Sequence, residues 1–122
     1  MAESTVPWPI EIRLNKARST LSVSFDDGAI YDLPAELLRV LSPSAEVQGH
    51  SPEQRKTVPG KKDVTITAVA PVGNYAVRLT FDDGHDTGLF TWVYLHKLGE
   101  ERERLWLAYL DELKAKGLTR EA

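Results

Sequence analysis

Residues 21–41 read LSVSFDDGAIYDLPAELLRVL, and residues 77–97 read VRLTFDDGHDTGLFTWVYLHK. The stretches lie 56 positions apart, with Phe25-Asp26-Asp27-Gly28 matching Phe81-Asp82-Asp83-Gly84. In the first, Leu21, Val23 and Phe25 alternate with Ser22 and Ser24, the period-two pattern of a half-buried strand. In the second, Val77, Leu79 and Phe81 alternate with Arg78 and Thr80. Asp-Asp-Gly after each run is tight-turn chemistry: glycine takes positive φ without strain, and aspartate accepts nearby backbone N–H groups. Residues 29–33 and 85–89 are then return strands, and a helix follows each. Two readings of the repeat stand side by side. Either two hairpins share good turn residues, or a ββα unit is duplicated and packed into one sheet.

Outward from these units the patterns continue. Ile10, Ile12 and Leu14 alternate with Glu11 and Arg13 as a first strand, and residues 15–19 are a polar turn. Val64, Ile66 and Ala68 alternate with Thr65 and Thr67. Asp32 is placed to cap a helix that has Pro34 in its first turn and Leu37, Leu38 and Leu41 as its apolar stripe. That helix must stop before Pro43. A short helix over 91–97 stops near Gly99. From Glu100 to Lys116, Leu105, Trp106, Tyr109, Leu110 and Leu113 form one stripe, with Glu100–Arg104 and Glu112–Lys116 as i,i+4 pairs. Residues 42–62, with three prolines and a basic cluster of Arg55, Lys56, Lys61 and Lys62, read as one long loop. The expected fold is α+β: a mainly antiparallel sheet from two strand–FDDG–strand–helix units, plus a long C-terminal helix. Residues 1–9 are expected to be a flexible N-terminus, 10–99 the domain proper, and 100–122 a helical extension.

The chain has 122 residues, 42% hydrophobic, enough for one ordinary domain with its own core. Its formal net charge is −3, which gives no support for nucleic-acid binding. A chain without cysteine has no disulfide, no thiolate metal site and no cysteine nucleophile. No apolar run approaches a bilayer span, and no signal-peptide pattern opens the sequence, so the expected location is the cytoplasm.

Complete catalytic motifs are missing. The paired aspartates are best explained as turn formers, because adjacent residues in a turn rarely converge on one atom. Ser42 and Ser44 have no adjacent base and no nucleophile elbow. His50, His85 and His96 show no ligand spacing. His85, directly after Gly84, is expected to be solvated, and His96 to lie on the surface. Phe90, Trp92, Tyr94, Trp106 and Tyr109 have two readings: packing between helices, or an exposed patch in which Trp92, Tyr94 and Trp106 anchor a partner.

With those residues in place, a resemblance emerges. The run LPAELLRVLSPSAEVQGH over 33–50, FDDGH over 81–85, and Gly88-Leu89-Phe90-Thr91-Trp92-x-Tyr94-Leu95 resemble bacterial domains of unknown function similar to the N-terminal domain of gamma-butyrobetaine hydroxylase. Related domains are also found fused to Mrp-type iron–sulfur carrier ATPases. In the hydroxylase this domain is a zinc-binding accessory module beside a separate catalytic domain. The resemblance therefore implies an accessory role, not an oxygenase. Its zinc pattern is a Cys-x-Cys-x-x-Cys run after a leucine–arginine pair, plus a histidine after the later hairpin turn. Here Leu38-Arg39 is followed by Ser42, Ser44 and Val47 at the cysteine positions, and the histidine is His85. With three of four ligands replaced, the family's zinc site is expected to be lost. Weak divalent-metal binding by His85 with His50 and Glu46 stays open.

Three functions follow from these features. The first is a non-catalytic accessory or interaction module with a protein partner, linked through the resemblance to iron–sulfur or other metal-cofactor metabolism. The second is a metal-binding protein with a remodelled site around His85. The third is an enzyme with a pocket under the loop 42–62. No cofactor, nucleic acid or membrane is expected, and monomer and homodimer are both open.

Overall fold

The computed structural model describes residues 7–49, 53 and 55–121. Strand β1 (Pro9–Leu14) pairs antiparallel with β2 (Thr20–Phe25), which pairs with β3 (Ile30–Pro34). Helices α1 (Ala35–Val40) and α2 (Ala45–Gln48) follow. The second unit is β4 (Ile66–Val72), β5 (Ala76–Phe81) and β6 (Leu89–Thr91), again antiparallel, then α3 (Trp92–Glu100) and α4 (Arg102–Ala115). The α+β class and antiparallel pairing are as read from the sequence. The units do not merge into one sheet, however: each keeps its own three-stranded sheet.

The duplication reaches into backbone detail. A bulge interrupts the β1–β2 register between Pro9 and Glu11, and a matching one interrupts β4–β5 between Ile66 and Ala68. Beside each turn a short cross-link recurs. Trp8 N–H donates to Asp26 Oδ1 (3.1 Å) and Asp26 N–H to Trp8 O (2.8 Å). Thr65 N–H donates to Asp82 Oδ1 (3.2 Å) and Asp82 N–H to Thr65 O (2.9 Å). Gly28 and Gly84 stand at φ 92° and 91°, the left-handed region that only glycine enters freely. Shared turn residues alone would not reproduce the bulges and cross-links, so the duplicated-unit reading is the better one.

One core joins the two sheets. Leu21, Val23, Phe25 and Leu33 from the first unit meet Ile66, Leu79, Phe81 and Phe90 from the second, with Leu37, Leu38, Leu95 and Leu98 closing from α1 and α3. Each such side chain, fully buried, stabilises the fold by roughly 1.5–3 kcal/mol. A smaller cluster of Val40, Tyr109 and Leu113 seats α4.

Several local expectations shift. Pro34 itself stands at the N-cap of α1 with no side-chain cap, while the Asp32 carboxylate takes the Ser22 hydroxyl (2.5 Å). As a strand residue, Asp32 has its side chain held across the sheet, away from the helix start. The helix α3 does end near Gly99, at Glu100, and Tyr31 packs on that glycine; a Cβ would lie 2.2 Å from the ring. The second return strand is β6, four residues later than the pattern start, since residues 85–88 serve the site below. Of the expected helix pairs, Arg104 meets Glu101 and Glu112 meets Arg55. His96 is not a surface residue. Its side chain is 13% exposed, bonded to Asp27 Oδ2 (2.8 Å) and packed edge-on against Phe25 and Tyr31.

Candidate functional site

The loop after α1 folds back over the second turn. Ser44 caps α2, its hydroxyl accepting Glu46 N–H (3.1 Å), and this short helix presents Glu46 toward the 81–85 turn. Gly88 lets the loop lie flat: a Cβ there would sit 2.3 Å from Ser42 Oγ and 3.3 Å from Pro43. Ser44 Oγ meets Thr87 Oγ1 at 2.6 Å, and Gln48 Nε2 donates to Ser42 O (2.9 Å).

The contact that results is buried. Ser42 has no exposed surface, and His85 is 6% exposed. Ser42 Oγ lies 2.9 Å from His85 Nε2, and His85 Nδ1 lies 3.0 Å from Glu46 Oε1. A neutral imidazole satisfies all three groups when Nδ1–H donates to Glu46 and Nε2 accepts the Ser42 hydroxyl. Ser42 Oγ then accepts Ser44 N–H (3.3 Å). Burial pushes the His85 pKa below its ordinary value and the Arg39 charge adds to this, with Glu46 and Asp83 opposing. Expected to be solvated, His85 is instead enclosed, because residues 42–48 cover it.

Asp83 organises the other side. Its Oδ1 takes His85 N–H (3.0 Å), and its Oδ2 takes Arg39 Nε (2.8 Å) and Lys61 Nζ (2.6 Å). Burial alone would raise this carboxyl. Lys61, the His85 N–H and Arg39 outweigh it and hold Asp83 well below the usual carboxylate range. Arg39 Nη1 is buried without an acceptor among the described residues.

Serine, histidine and glutamate in this order match the nucleophile–base–orienter geometry of acyl-transfer sites. The sequence shows no base next to Ser42; the fold supplies one from 43 positions away. A nucleophile also needs room for a reacting atom, and Ser42 has no accessible surface. A groove of about 470 Å³ is bordered by Pro43, Leu41, Arg55, Tyr94, Tyr109 and Glu112, and Ser42 is not part of its lining. It runs between the loop and helices α3 and α4. The Tyr94 and Tyr109 hydroxyls there donate to the Leu41 and Val58 carbonyls, and burial raises both to about 12.

The other sequence candidates fall as follows. Val47, at the third cysteine position, is buried and carries no donor atom. His50 lies outside the described residues. Among the described residues there is no group of three or more His, Cys, Asp or Glu placed to hold a metal. Trp92, Tyr94 and Trp106 are all partly buried against the core. Trp92 Nε1 donates to Asn74 O (2.9 Å), and Trp106 lies under the Arg120 guanidinium. The more exposed apolar side chains are Ile10, Ile30, Val93 and Leu107.

Residues 12–96 match the model of the gamma-butyrobetaine hydroxylase-like N-terminal family. The chain belongs to that family. It is also similar to three solved structures. A protein known from an NMR solution structure is 48% identical, with a TM-score of 0.83 over 96% of this chain and 92% of that one. A second NMR structure is 46% identical, with a TM-score of 0.82 over 98% and 89%. A crystal structure of a protein of unknown function from Acidithiobacillus ferrooxidans, assigned to the DUF971 family, is 42% identical, with a TM-score of 0.62 over 75% and 91%. No curated protein matches the chain. Among the described residues no helix is long and apolar enough to cross a membrane.

Proposed function

We propose that the chain is a non-catalytic accessory module that binds a protein partner, and that Ser42, His85 and Glu46 form a structural clasp within it. The observation carrying this reading is the complete burial of Ser42. Its hydroxyl is spent on His85 and on the Ser44 N–H, inside a loop pinned by Thr87 and Gln48. In relatives with cysteines at these positions, the resemblance implies that zinc ties this loop to the second turn. Here hydrogen bonds do the tying. Membership in a family described by the N-terminal part of a hydroxylase supports an appended role. The link to iron–sulfur or other metal-cofactor proteins rests on the resemblance alone.

Two arrangements weigh against the metal-binding alternative. Both ring nitrogens of His85 already have partners, and the Arg39 guanidinium stands close enough to lower the imidazole pKa. A divalent cation would have to displace Ser42 or Glu46 and sit beside that charge.

A fluorophosphonate probe separates the clasp from a nucleophile. The expected result is no labelling of the folded protein at Ser42; stoichiometric, His85-dependent labelling would overturn the reading. Zinc added in several-fold excess is expected to leave the His85 ring resonances in place. Affinity capture from native cells tests the accessory role: a stable protein partner is expected. Turnover of a metabolite with no partner recovered would contradict it.

A further inference from the structure

Among the described residues, Glu36 is the only buried carboxylate. It sits in the first turn of α1, and its side chain is 7% exposed. A carboxylate so placed needs a charged, hydrogen-bonded partner, because an unpaired buried charge is strongly destabilising. Arg120, beyond the end of α4, supplies it. Nε donates to Oε2 (2.8 Å) and Nη2 to Oε1 (2.7 Å), the two-pronged match of guanidinium to carboxylate. The same guanidinium lies over Trp106, 5.0 Å from the ring centroid. Fork and ring together select arginine over lysine, which has neither the planar fork nor the stacking face.

Residues 118–121 carry this arginine as a strap across the surface. Gly60 N–H donates to Thr119 O (2.9 Å), and Lys62 N–H to Arg120 O (3.0 Å). Leu118 packs beside Val40, Tyr109 and Leu113. Next to the strap is an open groove of about 690 Å³ bordered by Glu36, Glu100, Glu103, Arg102, Trp106 and Arg120. Arg102 is turned to the Asp32 carbonyl (2.7 Å). With Arg120 moved away, three carboxylates face one guanidinium.

We infer that Glu36 and Trp106 form a guanidinium-binding site, filled in cis by Arg120, that accepts an arginine from a peptide segment of a partner laid along the acidic groove. Exchange of one guanidinium for another leaves Glu36 paired in both end states, so neither state bears the cost of a bare buried charge. Charge complementarity defines the occupant: a basic segment with at least one arginine. The site shares no residue with the His85 clasp and needs nothing from the accessory reading.

The test uses the full chain with Arg120→Ala, titrated with N-acetylargininamide or N-acetyllysinamide. The readout is the Trp106 indole N–H resonance. Saturable shifts with the arginine compound are expected, about tenfold weaker or more with the lysine compound and in the unsubstituted chain, where the strap competes. Adding Glu36→Gln should abolish the response. Should Arg120→Ala fail to fold, Arg120→Lys keeps the strap with a poorer occupant, and the arginine compound should again win. An unmoved Trp106 signal in a folded variant, or equal response to lysine and arginine, would overturn the proposal.

Discussion

The two Asp-Asp-Gly turns are alike in backbone and different in what they hold. Each second aspartate caps its own turn: Asp27 takes Ala29 N–H (2.9 Å), and Asp83 takes His85 N–H (3.0 Å). Each then uses its other oxygen on the helix of the opposite unit. Asp27 Oδ2 meets His96 of α3, and Asp83 Oδ2 meets Arg39 of α1. This reciprocal latch ties two separate sheets into one body. The difference lies one residue on. Ala29 leaves the first turn open, whereas His85 turns inward and gathers Ser42, Glu46 and the 42–48 loop. Duplication thus kept the turn as scaffold, and among the described residues only the second turn has a buried polar side chain, His85, directly after its glycine.

The comparison can be broken at its strongest point first. His85→Ala leaves Ser42 buried without its partner and opens space under the loop; the expected cost is about 3 kcal/mol in chemical denaturation. Ala29→Gly, at the matching position, should cost far less. Next is Gly88→Ala, where the new Cβ would collide with Ser42 Oγ. An expected loss of about 2 kcal/mol would come with displaced amide resonances over 42–48. Asp83→Asn should follow at about 1–2 kcal/mol, because Arg39 and Lys61 lose their countercharge. Asp27→Asn, more exposed, should cost less. Gly28→Ala and Gly84→Ala, in open space at the same positive φ, should each cost about 1 kcal/mol and match one another. Unequal losses would contradict the shared scaffold.

Much of this scaffold was legible in the residues. Alternation at Leu21–Val23–Phe25 and Val77–Leu79–Phe81 placed the strands, the glycines placed the turns, and Pro43 placed the end of α1. The split into two sheets was not legible, because alternation says which face of a strand is buried and nothing about which strand it pairs with. Latches such as Arg39–Asp83 and His96–Asp27 join residues far apart in sequence, with no local spacing to announce them. The clasp was half visible. Matching the family's pattern brought Ser42, Ser44, Val47 and His85 together and suggested Glu46, but as ligand positions. The burial of Ser42, Ser44, Val47 and His85, and the Ser42–His85 bond, came from the fold.

Acid should expose the same asymmetry at His85, since Asp27 and Asp83 are both lowered. Both His85 and Asp83 have pKa values lowered by folding. In each case the unfolded chain takes up the proton first, so stability is present above the ordinary value and falls as pH drops below it. For His85 the loss begins below its ordinary value of 6.5, and for Asp83 below 3.8. The first step should vanish in His85→Ala.

The most direct test is the nitrogen-15 spectrum of the His85 ring across a pH titration. A structural clasp requires a neutral ring with the proton on Nδ1, persisting below the ordinary histidine value of 6.5 and indifferent to zinc. A ring that titrates at or above that value, carries its proton on Nε2, or moves when zinc is added would contradict it.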